Sequence, residues 1–392
     1  MSWCHRLAGL LCVAVGLAAC GGGETTVTDP TSSAPPPGGV VLELPAHFPP
    51  PRTPDDNPLT AAKVELGRFL FYDKRLSGNG RQSCASCHRP ELAFSDGRPT
   101  SIGSTGEPHP RNAQSLANVT YNATLTWANP ALVSLEAQLL VPLFGTNPVE
   151  MGLNEANQAE VMQRLRDDPV YVARFAAAFA QDADPFGWGN VGKAISSFQR
   201  TLISGRSRFD QYRQGQAALN DAEERGRVLF FGEKAECFHC HGSFNLNDQI
   251  VHAGSRPGFV ETPFHNTGLY NIDGKGGFPA PNRGLFESSF QPADMGRFRA
   301  PSLRNVGVTA PYMHDGSIGT LPEVLDFYAA GGRHVSSGPL AGDGRANPFK
   351  SGLVALIRLS EQDKADLVAF LQTLTDADFL NDPKHADPFA AK

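Results

Sequence analysis

"GRFLFYDKRLSGNGRQSCASCH", residues 67–88, returns in altered form as "GRVLFFGEKAECFHCH", residues 226–241. Both stretches begin with Gly-Arg and an apolar run at the end of a helical pattern, and both finish on Cys-x-x-Cys-His. In that pentapeptide two thiols form thioethers with the vinyl groups of a haem, and the histidine beside them coordinates its iron. Cys84, Cys87 and His88 are therefore one predicted attachment site for covalent haem c, and Cys237, Cys240 and His241 a second. A four-cysteine zinc site would have halves about 150 residues apart and no use for the histidines. A thioredoxin-like redox pair needs a βαβ setting that neither motif has.

The repeat predicts two cytochrome c-like modules. Asn57 as cap and Pro58 at the first position predict the start of a helix carrying Leu59, Ala62, Leu66, Phe69 and Leu70 on one face. Further helices are predicted over 155–166, 168–180, 191–203, 220–231, 321–330 and 360–374, with few strands. The expected class is mainly α, with long loops and little β. Glycine and proline, 40 and 31 of 392 residues, explain the loops. A chain so rich in loop needs extra core, which a large apolar cofactor supplies. The formal charge of −6 comes with no basic stripe, which argues against a nucleic-acid partner.

Residues 1–20 read as a secretory signal, because the apolar stretch from Leu7 to Val15 is too short to span a bilayer. Leu17-Ala18-Ala19-Cys20 resembles a bacterial lipobox, so Cys20 is the expected lipid anchor and the membrane is met only there. Cys4 and Cys12 leave with the signal. The expected location is the periplasmic side of a bacterial membrane, as a lipoprotein. Residues 21–54 are the expected flexible tether and N-terminal extension; 55–215 and 216–392 are the two expected haem domains.

The ordered strings "CASCH…FSDGRPTSIG…PRNA…LANVTYN" and "CFHCHG…GRFRAPSLRNVGVTAPYMHDGS…TLPEV" resemble the bacterial dihaem cytochrome c peroxidase superfamily, which includes MauG, over residues 55–375. The resemblance implies that the first haem meets peroxide and the second handles electrons. Ser104 stands where those peroxidases usually carry a histidine that blocks the first iron, so that iron is expected to be open. His109 is the nearest rival ligand. Glu150 matches the family's distal glutamate, which moves a proton as the O–O bond breaks, and Gln138 its distal glutamine. Trp127 matches a tryptophan between the haems that relays electrons or holes, whereas Trp188 follows no such pattern and reads as structural. Asn112, Thr309 and Pro311 match an interdomain calcium site, and hard oxygen donors suit Ca2+.

Thr320 and Glu323 read as a capping box and Gly331-Gly332 as a stop, so 321–330 is one helix with Leu321, Val324, Leu325 and Tyr328 on a single face. Tyr328 matches the sixth ligand of the second haem. It is a methionine in peroxidases that draw electrons from a soluble cytochrome and a tyrosine in MauG. Thioether favours ferrous iron, whereas phenolate favours ferric and higher states. Tyr312 and Met313 are rival ligands, and His314 is expected at a haem propionate. The implied activity is a reaction with hydrogen peroxide that gives a bis-Fe(IV)-type state and oxidises a partner protein. "LTWANP" and "VPLFGTNPVEMG" look most like the MbnH group, whose MbnP-type partners are oxidised at tryptophan. The alternatives are a peroxidase fed by an electron-donor cytochrome and an electron-transfer cytochrome without catalysis.

Overall fold

The computed structural model describes residues 38–256 and 258–390. The signal, Cys20 and residues 21–37 lie outside the described residues. Among the described residues twelve α-helices follow in order: α1 Ala61–Tyr72, α2 Leu135–Phe144, α3 Gln158–Arg166, α4 Pro169–Ala178, α5 Trp188–Arg200, α6 Arg208–Arg213, α7 Asp221–Phe230, α8 Phe238–His241, α9 Phe286–Ser289, α10 Leu321–Ala329, α11 Glu361–Gln372 and α12 Ala377–Leu380. Among the described residues the sheet content is one antiparallel pair, β1 His334–Val335 with β2 Gly342–Asp343, His334 facing Asp343. The fold is mainly helical, as the sequence predicts. No helix among the described residues is long and apolar enough to cross a membrane.

The repeat has a packing reason. Helix α1 crosses α5, and α7 crosses α11, at the glycine that opens each repeated stretch. A Cβ on Gly67 would stand 1.9 Å from the Ala194 carbonyl oxygen, and one on Gly226 would stand 1.9 Å from that of Asp366. Each glycine thus lets a helix lie directly on its neighbour's backbone and turns the following Leu-Phe residues into the core beneath each haem motif. Alanine is intrinsically the better helix residue by about 1 kcal/mol, yet a clash with backbone cannot be relieved by a rotamer change. Gly67→Ala should therefore lower stability by about 1–3 kcal/mol. Gly189→Ala in α5, where an added Cβ meets nothing within 4 Å, should leave it equal or raised. Paired thermal melts of the two holoproteins check this.

Helix α1 starts later than the sequence suggests. Thr60 is its cap, extended at φ −125°, with its side chain accepting from the Lys63 N–H. Asn57 is fully buried instead. Its amide donates to Glu136 (2.7 Å) and to the Lys193 carbonyl (3.0 Å), and it accepts from Lys63 Nζ (3.1 Å). Glu136 also takes both Arg200 nitrogens, at 2.7 and 2.9 Å. This network clamps α2 onto α5 and so fixes the helix that carries Gln138. Trp188 sits edge-on to Phe144, which fits its structural reading.

The C-terminal segment returns to the first half. Phe379 joins the core of α1, α4 and α5 and packs with His385 around Phe94. The Tyr72 hydroxyl donates to the His385 carbonyl, and Arg68 to that of Ala386.

Candidate active site: two haem-attachment motifs

Each Cys-x-x-Cys-His forms a short helical turn ended by a loop that folds back onto its histidine. His88 Nδ1 lies 2.7 Å from the Phe94 carbonyl and His241 Nδ1 lies 2.9 Å from that of Leu246. Phe94 and Leu246 both have left-handed backbones, φ 61° and 54°, which aims the carbonyls inward. The bond places the proton on Nδ1 and leaves Nε2 free to bind a metal. Burial lowers both histidine pKa values, so both rings are neutral. Burial also pushes the Cys84 and Cys237 thiols up to about 12. The two cysteine pairs share no ligand cluster among the described residues, which removes the zinc alternative.

Beside Cys237, Cys240 and His241 lies a mostly apolar cavity whose walls include Trp127, Arg299, His314 and Tyr328. Two buried side-chain nitrogens on residues lining it, Arg299 Nη1 and His314 Nε2, have no hydrogen-bond partner among the described residues. Burial lowers Arg299 to about 10 and His314 to about 4. Orphaned donors beside an apolar slot suit a haem with its propionates, and the residues fit that group.

Arg299 was missed from sequence alone. It donates to the Thr126 carbonyl (3.2 Å) and to the Gln114 side chain, while its backbone N–H bonds the Trp127 carbonyl (2.8 Å). Trp127 is 9% exposed and donates from Nε1 to the Asn112 carbonyl at 2.9 Å. Segment 112–115 therefore touches Trp127 at one end and, at the other, donates from the Ser115 hydroxyl to the Ala93 carbonyl (2.6 Å), next to the Phe94 carbonyl that holds His88. One short stretch links the surroundings of both motifs.

Helix α10 has the expected capping box of Thr320 and Glu323, and its Leu321, Val324, Leu325 and Tyr328 line the cavity. The Tyr328 hydroxyl makes no hydrogen bond to a described residue. Burial first, then the Cys240 and Cys237 thiols, push its pKa up. Only a nearby cation would make the phenolate favourable. Tyr312 lines the same cavity but spends its hydroxyl on the Val306 carbonyl, at 2.9 Å. Met313 is there too. His314 stacks on Phe298, centroids 3.7 Å apart.

Glu150 belongs to the first motif. The Met151 and Leu153 N–H groups bond the Pro142 and Leu143 carbonyls at the end of α2, and Ser104 N–H bonds the Glu150 carbonyl at 2.8 Å. Its carboxylate acts on both the Cys84 and Cys87 thiols. Burial alone raises it to about 7. Gln138 is half-buried on α2 one turn before Pro142, so the same helix end organises both residues. Ser104 turns its hydroxyl towards Gly152. His109 lies beside the Val149 carbonyl with its pKa lowered by burial.

Asn112, Thr309 and Pro311 all line the cavity wall. The Asn112 N–H holds the His314 carbonyl at 2.8 Å, and its side-chain amide donates to the Arg98 carbonyl at 2.7 Å. The Asn112 side-chain oxygen and the Thr309 and Pro311 carbonyls accept no hydrogen bond from described residues, so oxygen donors for a hard cation are present.

The family model described as di-haem cytochrome c peroxidase matches residues 61–218. Cytochrome-c peroxidase IdrP1 of Denitromonas iodatirespirans is 38% identical over 359 residues, covering 86% of this chain and 88% of the relative. Methylamine utilization protein MauG of Methylorubrum extorquens is 36% identical over 324 residues, 82% and 80% of the two chains. A crystal structure of a MauG-like protein associated with microbial copper homeostasis superposes with a TM-score of 0.88 at 58% identity, covering 89% of this chain and 99% of that one. With two haem-attachment motifs built alike and relatives of that kind along most of its length, the chain belongs to the di-haem cytochrome c peroxidase and MauG family and is a haem-dependent oxidoreductase acting with peroxide.

Proposed function

We propose that the chain uses hydrogen peroxide to oxidise a partner protein, at tryptophan, in the manner of the MbnH group, rather than to consume peroxide with electrons from a small cytochrome. Two haems c, held by Cys84, Cys87 and His88 and by Cys237, Cys240 and His241, would supply the redox chemistry with peroxide. The observation that carries the reading is the Tyr328 phenol, half-buried on the apolar wall of the cavity of the second motif with no hydrogen bond to a described residue. A phenol so placed would give up its proton to ligate ferric iron and favour oxidised states.

In this scheme Glu150 takes a proton from peroxide and returns it to the departing oxygen. Gln138 orients the peroxide, and Trp127 passes oxidising equivalents between the two halves. Asn112, Thr309 and Pro311 hold Ca2+ through one side-chain oxygen and two carbonyls. Cys20 anchors the protein as a lipoprotein on the periplasmic side, where an MbnP-like partner reaches it. Identity of 58% to a MauG-like protein, well above the 38% to a cytochrome-c peroxidase, supports the choice of group.

Met313 on the same cavity favours a second reading, a peroxidase whose second haem takes a thioether and draws electrons from a cytochrome. One experiment separates the two. The holoenzyme is given peroxide with a co-expressed MbnP-like protein, or with reduced cytochrome c. The first reading predicts a mass gain at a partner tryptophan and slow cytochrome oxidation. Rapid cytochrome oxidation with an unmodified partner would establish the second.

A further inference from the structure

The attachment loop of the second motif carries a donor group that the haem chemistry leaves unused. His239, between the two cysteines, and Glu233 and Glu236, just ahead of them, bring an imidazole nitrogen and two carboxylate oxygens within 4.8 Å of one another. His239 Nε2 is 2.9 Å from Glu236 Oε2 and 3.6 Å from Glu233 Oε2. Glu236 is 8% exposed, and its Oε2 has no hydrogen-bond partner. The 2.9 Å contact is therefore badly angled for an N–H···O bond, as when both atoms face a common third point. A buried carboxylate oxygen without a donor is costly unless a cation meets it.

We propose that Glu233, Glu236 and His239 bind one first-row divalent cation at the edge of the second haem cavity, which Glu236 also lines. Imidazole with two carboxylates suits Cu2+ and Zn2+, and the Irving–Williams order places Cu2+ first. Waters complete the shell on the exposed side. Phe238, tilted against the His239 ring with centroids 4.0 Å apart, restricts that ring. Lys234 is turned away by its pairing with Asp363 at 2.6 Å, so its ammonium does not fill the place. The cation would bind in the same way under either reading of the function.

The test adds Cu2+ to the diferric holoenzyme, removes the excess by desalting, and measures retained copper by elemental analysis and electron paramagnetic resonance. One copper per chain is expected, with hyperfine structure from a single nitrogen. His239→Ala should abolish retention, and Glu233→Gln, an exposed change, should weaken binding about ten-fold or more, both at unchanged haem content. His334→Ala, on an exposed histidine elsewhere, should retain copper like the wild type. No retained copper, or equal retention in His239→Ala and Glu233→Gln, would overturn the proposal.

Discussion

Tyr328→Met is expected to shorten, by about ten-fold or more, the lifetime of the near-infrared absorption that develops when peroxide meets the diferric enzyme. A loss of only about 1.4 kcal/mol in the relative stability of the oxidised state accounts for a factor of ten. Methionine is flexible and of suitable size for the apolar wall formed by Leu321, Val324 and Leu325, so the replacement should keep α10 intact. The chemical change is from a hard oxygen donor to a soft sulfur one. It should raise the reduction potential of the second haem and increase turnover with reduced cytochrome c. Stopped-flow spectra and a redox titration check both. An unchanged lifetime and potential would show that Tyr328 is core packing and no ligand.

Glu150→Gln is expected to slow the reaction with peroxide by about 10²–10⁴-fold, the usual worth of a positioned proton carrier. Glutamine keeps the shape and the loop's backbone bonds to α2 while removing the titrating oxygen. The pH profile offers a second readout. Burial raises the Glu150 carboxyl to about 7. The group is neutral below that value and unable to accept a proton, so the wild-type rate should climb as pH passes about 7. The Gln variant should lose that rise. A rate that falls through the same range would mean that the protonated carboxyl is the active form.

The attachment motifs were legible because covalent haem binding packs its chemistry into five consecutive residues. Helix α10 was legible for a related reason, since its cap, stop and inward face all lie within a dozen positions. Asn57 shows where such reading fails. Its local signal for a cap was good, but partners 79 and 136 residues away, Glu136 and Lys193, claimed its side chain, and the start of α1 moved to Thr60. Helix α2 was hidden by Pro142, which interrupts the pattern near its end. Arg299 left no trace because the groups that define it, the Thr126 carbonyl and Gln114, stand 173 and 185 residues off. The glycines of the repeated stretches were visible as repetition. Their cause, a backbone lying against a backbone, emerged only in three dimensions.

The return of Phe379 and His385 onto Phe94 bears on the order in which this molecule can be assembled. Phe94 supplies the carbonyl that orients His88, so the surroundings of the earlier motif are sealed by residues that follow it far along the chain. During folding that compartment stays ajar until Phe379 and His385 come back onto it. The interval leaves an opening through which a bulky prosthetic group can be delivered and stitched in before the door shuts.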